Sequence, residues 1–96
     1  MSKNEYRSVV VPVLRWLNSL EGCRAINVHG GIYTERGTPD IMGVYRGRGF
    51  LLEAKATGGR LSALQRVRLR QWAAAGAKTA VVHSLEEVQR LWEEWF

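Results

Sequence analysis

The sequence predicts a single α/β domain over residues 1–96, with element order αβββαβα and a mixed β-sheet flanked by helices. Three observations predict it. Apolar residues recur at three- and four-residue steps near both ends of the chain, the spacing of a helix face. Short apolar and β-branched runs bounded by Gly and Pro lie between them, as strands do. A strand, a helix and a strand then follow in succession, which implies a right-handed crossover and a last strand parallel to a neighbour.

Each element has its own signal. Residues 3–20 read as a helix, with Tyr6, Val9, Val10, Val13, Leu14, Leu17 and Leu20 on one stripe. Pro12 lies off that stripe and either kinks the helix or marks a later start near Ser8. Glu21-Gly22 ends it. Residues 24–29 read as a strand running into Gly30-Gly31, and a polar connection follows through Gly37. Pro39 opens a second strand, Asp40 to Tyr45, where a missing N–H removes no interior ladder bond. Arg46-Gly47-Arg48-Gly49 reads as a four-residue hairpin loop, and Phe50 to Ala56 as the third strand. A second helix starts at Ser62, whose spacing to Gln65 is that of a capping box, and Gly76 ends it. Residues 78–82 make a short strand. Ser84 and Glu87 repeat the capping-box spacing before a terminal helix with Leu85, Val88, Leu91, Trp92 and Trp95 on one side.

Composition narrows the class. With 46% hydrophobic and 24% charged residues, 96 residues bury a modest core and form one domain. The lone Cys23 excludes an internal disulfide, and two distant histidines argue against a zinc site. No charged-then-apolar leader opens the chain, and the run Val9 to Leu14 is far too short to span a bilayer. A cytoplasmic location with no membrane partner is the expectation. Charge is uneven: the tail from Glu86 holds four acids and one base, leaving thirteen bases against five acids before it. Such a surplus attracts a polyanion, although a basic protein without a nucleic-acid partner has the same composition.

Asp40, Glu53 and Lys55 carry the chemistry. Glu53 and Lys55, two apart on a strand, point the same way. With a four-residue loop, Met42 lies opposite Glu53 and Asp40 opposite Lys55, so all three charged groups emerge on one face. Two carboxylates about 4 Å apart repel by roughly 4 kcal/mol at an effective dielectric near 20. Lys55 offsets one of them, whereas a divalent cation offsets both. Carboxylate oxygens with a strand carbonyl such as that of Ala54 suit Mg²⁺ or Mn²⁺. The competing reading is a structural Asp40–Lys55 pair with Glu53 reaching solvent.

Gly37-Thr38-Pro39-Asp40-Ile41, then Glu53-Ala54-Lys55, then Gly58-Gly59-Arg60-Leu61-Ser62 and Gln65 resemble the VRR-NUC domain of the PD-(D/E)XK nuclease superfamily. The similarity continues to the Ala75-Gly76-Ala77 turn and the strand after it, most of the chain. This resemblance implies a restriction-endonuclease-like core and metal-dependent cleavage of nucleic-acid phosphodiesters. It implies Asp40 and Glu53 as metal ligands, with the Ala54 carbonyl beside them. Lys55 matches the motif lysine, which orients and deprotonates the attacking water or stabilises the developing charge. Gln65 and Glu5 match accessory site positions.

Both accessory residues have a second explanation. Glu5 lies three after Ser2 and fits a capping box of the first helix. Gln65 fits the same role for Ser62, yet it falls on the stripe of Leu69, Trp72 and Gly76 that should face the sheet. Arg46 and Arg48 on the hairpin, with Arg36 and Arg60 on other loops, are candidate phosphate contacts. Arg66 and Arg70 read as a solvated face. His29 reads as structural.

Trp92, Trp95 and Phe96 either close the domain's own core or form a homodimer interface. Closing the core is the commoner use of such a stripe; the dimer is attractive because stand-alone members of the family, typically phage-encoded, are similar to dimeric Holliday-junction resolvases. The sequence thus leads to an Mg²⁺- or Mn²⁺-dependent endonuclease acting on DNA, preferably branched. The rival is a non-catalytic DNA-binding or assembly module that keeps the fold.

Overall fold

Pro12 sets the shape of the N-terminal helix. Lacking an N–H, it cannot bond back to Ser8, and its ring crowds that carbonyl. A computed structural model, which describes residues 6–28 and 34–96, shows a wider π-helical turn over Tyr6–Val10 just before it. The α-geometry of α1 (Val11–Ser19) begins there, with Pro12 in its first turn, where its missing N–H costs nothing. The helix therefore runs through the proline without a break.

The strands β1 (Cys23–Asn27), β2 (Ile41–Tyr45) and β3 (Arg48–Ala54) form an antiparallel meander. Helix α2 (Ala63–Ala74) then carries the chain to β4 (Lys78–Val82), which pairs parallel to β3 as the crossover predicts. Helix α3 (Leu85–Trp95) closes a compact α/β domain with sheet order β1-β2-β3-β4. Among the described residues no helix is long and apolar enough to cross a membrane.

The hairpin corrects the predicted register. Its turn is two residues, Arg46-Gly47, with φ of +48° and +84°. Two-residue hairpins favour such left-handed backbone because its twist matches the strands. Only Gly47 serves the turn; Gly49 instead lies in β3 opposite Val44. Strand β3 consequently spans Arg48–Ala54 rather than 50–56, and Met42 faces Leu51, not Glu53. One step beyond Ile41–Leu52, Asp40 falls opposite Glu53 instead of Lys55. The slip is two residues, so every side chain keeps its predicted face.

One face of the sheet buries Ile41, Phe50, Leu52, Ala54 and Val82 against Val13 and Leu17 of α1 and Val88 and Trp92 of α3. Each large side chain there contributes about 1.5–3 kcal/mol. Phe50 lies over Gly43, where a Cβ would collide with its ring. Trp92 is 7% exposed and packs edge-on to Phe50 and Trp16, and Trp95 and Phe96 lie against it with their rings tilted. Trp92 and Trp95 close the chain's own core, while Phe96 stays 39% exposed. Asn18 of α1 seals the outer edge of β1: its amide donates to the Ala25 carbonyl (3.0 Å) and accepts from the Ala25 N–H (2.9 Å). The Cys23 N–H on the same edge donates to Leu20 O. The opposite face, bearing Leu51 and Glu53, is covered by α2, whose Leu69 is buried.

Candidate functional site

Strand alternation sends Leu52 and Ala54 into the core and Glu53 the other way, beneath α2. There Glu53 is 2% exposed, and its Oε1 accepts a hydrogen bond from Gln65 Nε2 at 3.1 Å. A buried carboxylate is costly unless it is paired or hydrogen-bonded. Gln65 fills the capping role expected of it and also reaches Glu53. Its Oε1 accepts from the Ser62 N–H (2.9 Å) and its own N–H donates to Ser62 Oγ (3.1 Å), closing the capping box.

Asp40 arrives on the neighbouring strand line after the buried Pro39. Its main-chain carbonyl accepts from the Val28 N–H (2.7 Å) and from Asn27 Nδ2 (2.9 Å) at the end of β1. Its Oδ2 accepts from the Ala54 N–H (2.9 Å), between Glu53 and Lys55. The aspartate is thus fixed at main chain and side chain, with Oδ1 carrying no hydrogen bond among the described residues. Asn27 had no motif to announce it, because its amide serves a backbone carbonyl.

Lys55 continues the β3–β4 pairing, its N–H donating to Val82 O at 3.0 Å. Its aliphatic stem runs along Gly59, where a Cβ would stand 3.5 Å from Lys55 Cβ. Among the described residues no ion pair joins Lys55 to Asp40. The structural Asp40–Lys55 pair gives way to an Asp40–Ala54 main-chain tie, because the shorter turn moves Lys55 out of register with Asp40. Glu53 is buried rather than solvent-facing. Glu5 and His29 lie outside the described residues.

The predicted phosphate contacts divide into two groups. Arg36 and Arg60 are exposed on the connections that lead into β2 and into α2. Arg46 and Arg48 sit at the opposite end of the hairpin, five strand positions or roughly 16 Å from Asp40. The Arg46 guanidinium lies 5.2 Å from the Tyr45 ring centre, and that of Arg48 lies 5.3 Å from Phe96. These cation–π contacts anchor the stems of both arginines at the aromatic end of the core.

Helix α3 departs from its predicted cap in one respect. Ser84 Oγ accepts from the Glu87 N–H (3.2 Å), but Glu87 Oε2 accepts from the His83 N–H (2.9 Å) and contacts its Nδ1 (3.2 Å). Partial burial pushes the Glu87 carboxyl up, while the His83 N–H and imidazole outweigh it and hold the group below the ordinary glutamate range. Burial pushes the Cys23 thiol up.

The oxygens of Asp40 and Glu53 are hard donors from adjoining strands, a set that fits Mg²⁺ or Mn²⁺ completed by main-chain carbonyls and water. Among the described residues no three His, Cys, Asp or Glu side chains cluster as a metal site, so this pair stands as two carboxylates. Compared with known proteins, the chain matches no protein-family model and no curated sequence.

Proposed function

We propose that this chain is a Mg²⁺- or Mn²⁺-dependent endonuclease that hydrolyses DNA phosphodiester bonds, built on a restriction-endonuclease-like core of the VRR-NUC type. One observation carries the reading: a carboxylate buried under a helix, Glu53, held by Gln65 and set opposite Asp40. A purely structural glutamate gains nothing from such burial that an apolar residue would not supply. A bound divalent ion neutralises phosphate charge and lowers the pKa of its water. Asp40 and Glu53 would hold it, with Gln65 orienting Glu53 through Oε1 and the Ala54 N–H orienting Asp40 through Oδ2. Lys55, on the same strand line as Glu53, would orient the attacking water or stabilise the developing charge. Arg36 and Arg60 would receive the strand beside the site, and Arg46 and Arg48 a more distant phosphate. A homodimer acting on branched DNA belongs to the same proposal, through a surface other than Trp92, whose packing is internal.

The test is incubation of labelled junction, flap, duplex and single-stranded DNA with Mg²⁺, Mn²⁺ or a chelator. Metal-dependent cleavage lost in Asp40→Ala and Lys55→Ala is the expected result. Equal cleavage by wild type and Asp40→Ala overturns the site. Binding without cleavage under every condition favours a non-catalytic DNA-binding module.

A further inference from the structure

Arg68 lies on α2, three residues beyond Gln65, and was not marked by any motif. Its Nε–H donates to the Arg36 carbonyl (2.9 Å), its Nε lies 3.0 Å from Glu35 Oε1 as an ion pair, and Nη1 donates to Gln71 Oε1 (3.1 Å). The side chain is only 20% exposed. One residue on, Gly37 has φ of +81°, and a Cβ there would stand 2.8 Å from Leu64 Cγ and 3.2 Å from Arg68 Cγ. The turn that delivers Thr38, Pro39 and Asp40 is therefore seated on the helix that delivers Gln65 to Glu53. At about 100° per residue, Leu64 and Arg68 share the face toward this turn, while Gln65 lies some 60° from Arg68 and about 100° from Leu64, toward β3. One helix thus carries Gln65, which supports Glu53, and seats the turn that leads into Asp40.

The geometry points to Arg68 as a positioning residue that sets the approach of Asp40 to Glu53, by fastening the Glu35–Gly37 turn to α2. The inference rests on the reading of Asp40 and Glu53 as a cation site and adds to the Val28, Asn27 and Ala54 ties a contact on the turn before Asp40. Its consequence runs against simple charge. Arg68 is a cation, so Coulomb's law alone has its removal tighten divalent-ion binding. Positioning has the removal loosen it, because two carboxylates chelate only at the right spacing.

The experiment is Mn²⁺ titration without DNA, read by electron paramagnetic resonance, on wild type, Arg68→Ala, Arg68→Lys and Arg70→Ala. Thermal melts verify folding. Supporting contacts behind metal ligands typically change affinity 10- to 100-fold, and about 10-fold weaker binding is expected for Arg68→Ala. Arg68→Lys keeps the charge but loses the planar fork, so it should recover part of that loss. It also serves as the test if Arg68→Ala does not fold. Arg70 is exposed on the same helix, and its substitution should leave Mn²⁺ affinity unchanged. Unchanged or tighter binding in the folded Arg68 variants overturns the inference alone. A wild type that binds no Mn²⁺ overturns the cation site itself, and the inference with it.

Discussion

The side-chain amide of Gln65 donates to Glu53 Oε1 at 3.1 Å while its carbonyl oxygen accepts from the Ser62 N–H at 2.9 Å. One residue both starts α2 and supports the buried acid. Replacing it by Glu keeps the cap acceptor but sets a second carboxylate against Glu53. Gln65→Glu should therefore lose roughly 1–3 kcal/mol of stability at neutral pH. Added Mn²⁺ should return most of that loss, measured by urea unfolding with and without the ion. An undiminished loss in Mn²⁺ would count against a cation between these groups.

Glycines in the same backbone region separate packing from conformational strain. Gly37 and Gly58 have φ of +81° and +83°, but a Cβ meets Leu64 at the first and nothing within 4 Å at the second. Gly58→Ala should cost about 1–2 kcal/mol, the left-handed penalty alone. Gly37→Ala should cost more, because the turn must also lift from α2. Urea melts of both variants make the comparison, and equal losses would remove the seat under the Asp40 turn.

The hairpin arginines act at a distance or not at all. Arg46→Ala and Arg48→Ala should each weaken DNA binding evenly across sequences and reduce the slope of log affinity against log salt by about 1. Cleavage rate at saturating DNA should not change, given the strand length between them and Asp40. A shift in sequence preference would contradict this assignment.

Acid should expose the work of Glu87. Its carboxyl titrates below the ordinary range, so the folded state favours the ionised form. That contribution is complete above the unfolded glutamate pKa and is lost as pH falls through the lower folded one. Thermal melts of wild type and Glu87→Gln should differ at pH 7 and converge toward pH 3. A gap that widens in acid would reverse the sign assigned here.

Cys23 offers a chemical check on the fold. Burial raises its thiol pKa, which lowers the reactive thiolate fraction. Alkylation at pH 7 should be slower in the folded protein than in urea, and equal rates would place Cys23 in open solvent.

Much of this architecture is legible from local chemistry. Ser62 and Gln65 fix the start of α2 because their bonds span three residues. The parallel β4 follows from the handedness of a strand–helix–strand crossover. Glu53 keeps its predicted side, away from the Leu52 and Ala54 core, since strand parity survives a two-residue slip. The hairpin register was not legible: both Gly47 and Gly49 allow a turn, and side-chain pairing across the sheet decides between them. Asn27 and Arg68 escaped for a related reason. Each acts on a main-chain carbonyl, Asp40 O or Arg36 O, that no residue pattern records.

Asn18 has a consequence for how copies of this chain meet. Its amide fills the outward main-chain groups of Ala25, and Leu20 takes the Cys23 N–H. Endless ribbons grow strand upon strand only when each subunit offers two open rims. With Ala25 and the Cys23 N–H so engaged, the β1 rim is a poorer template for an added strand.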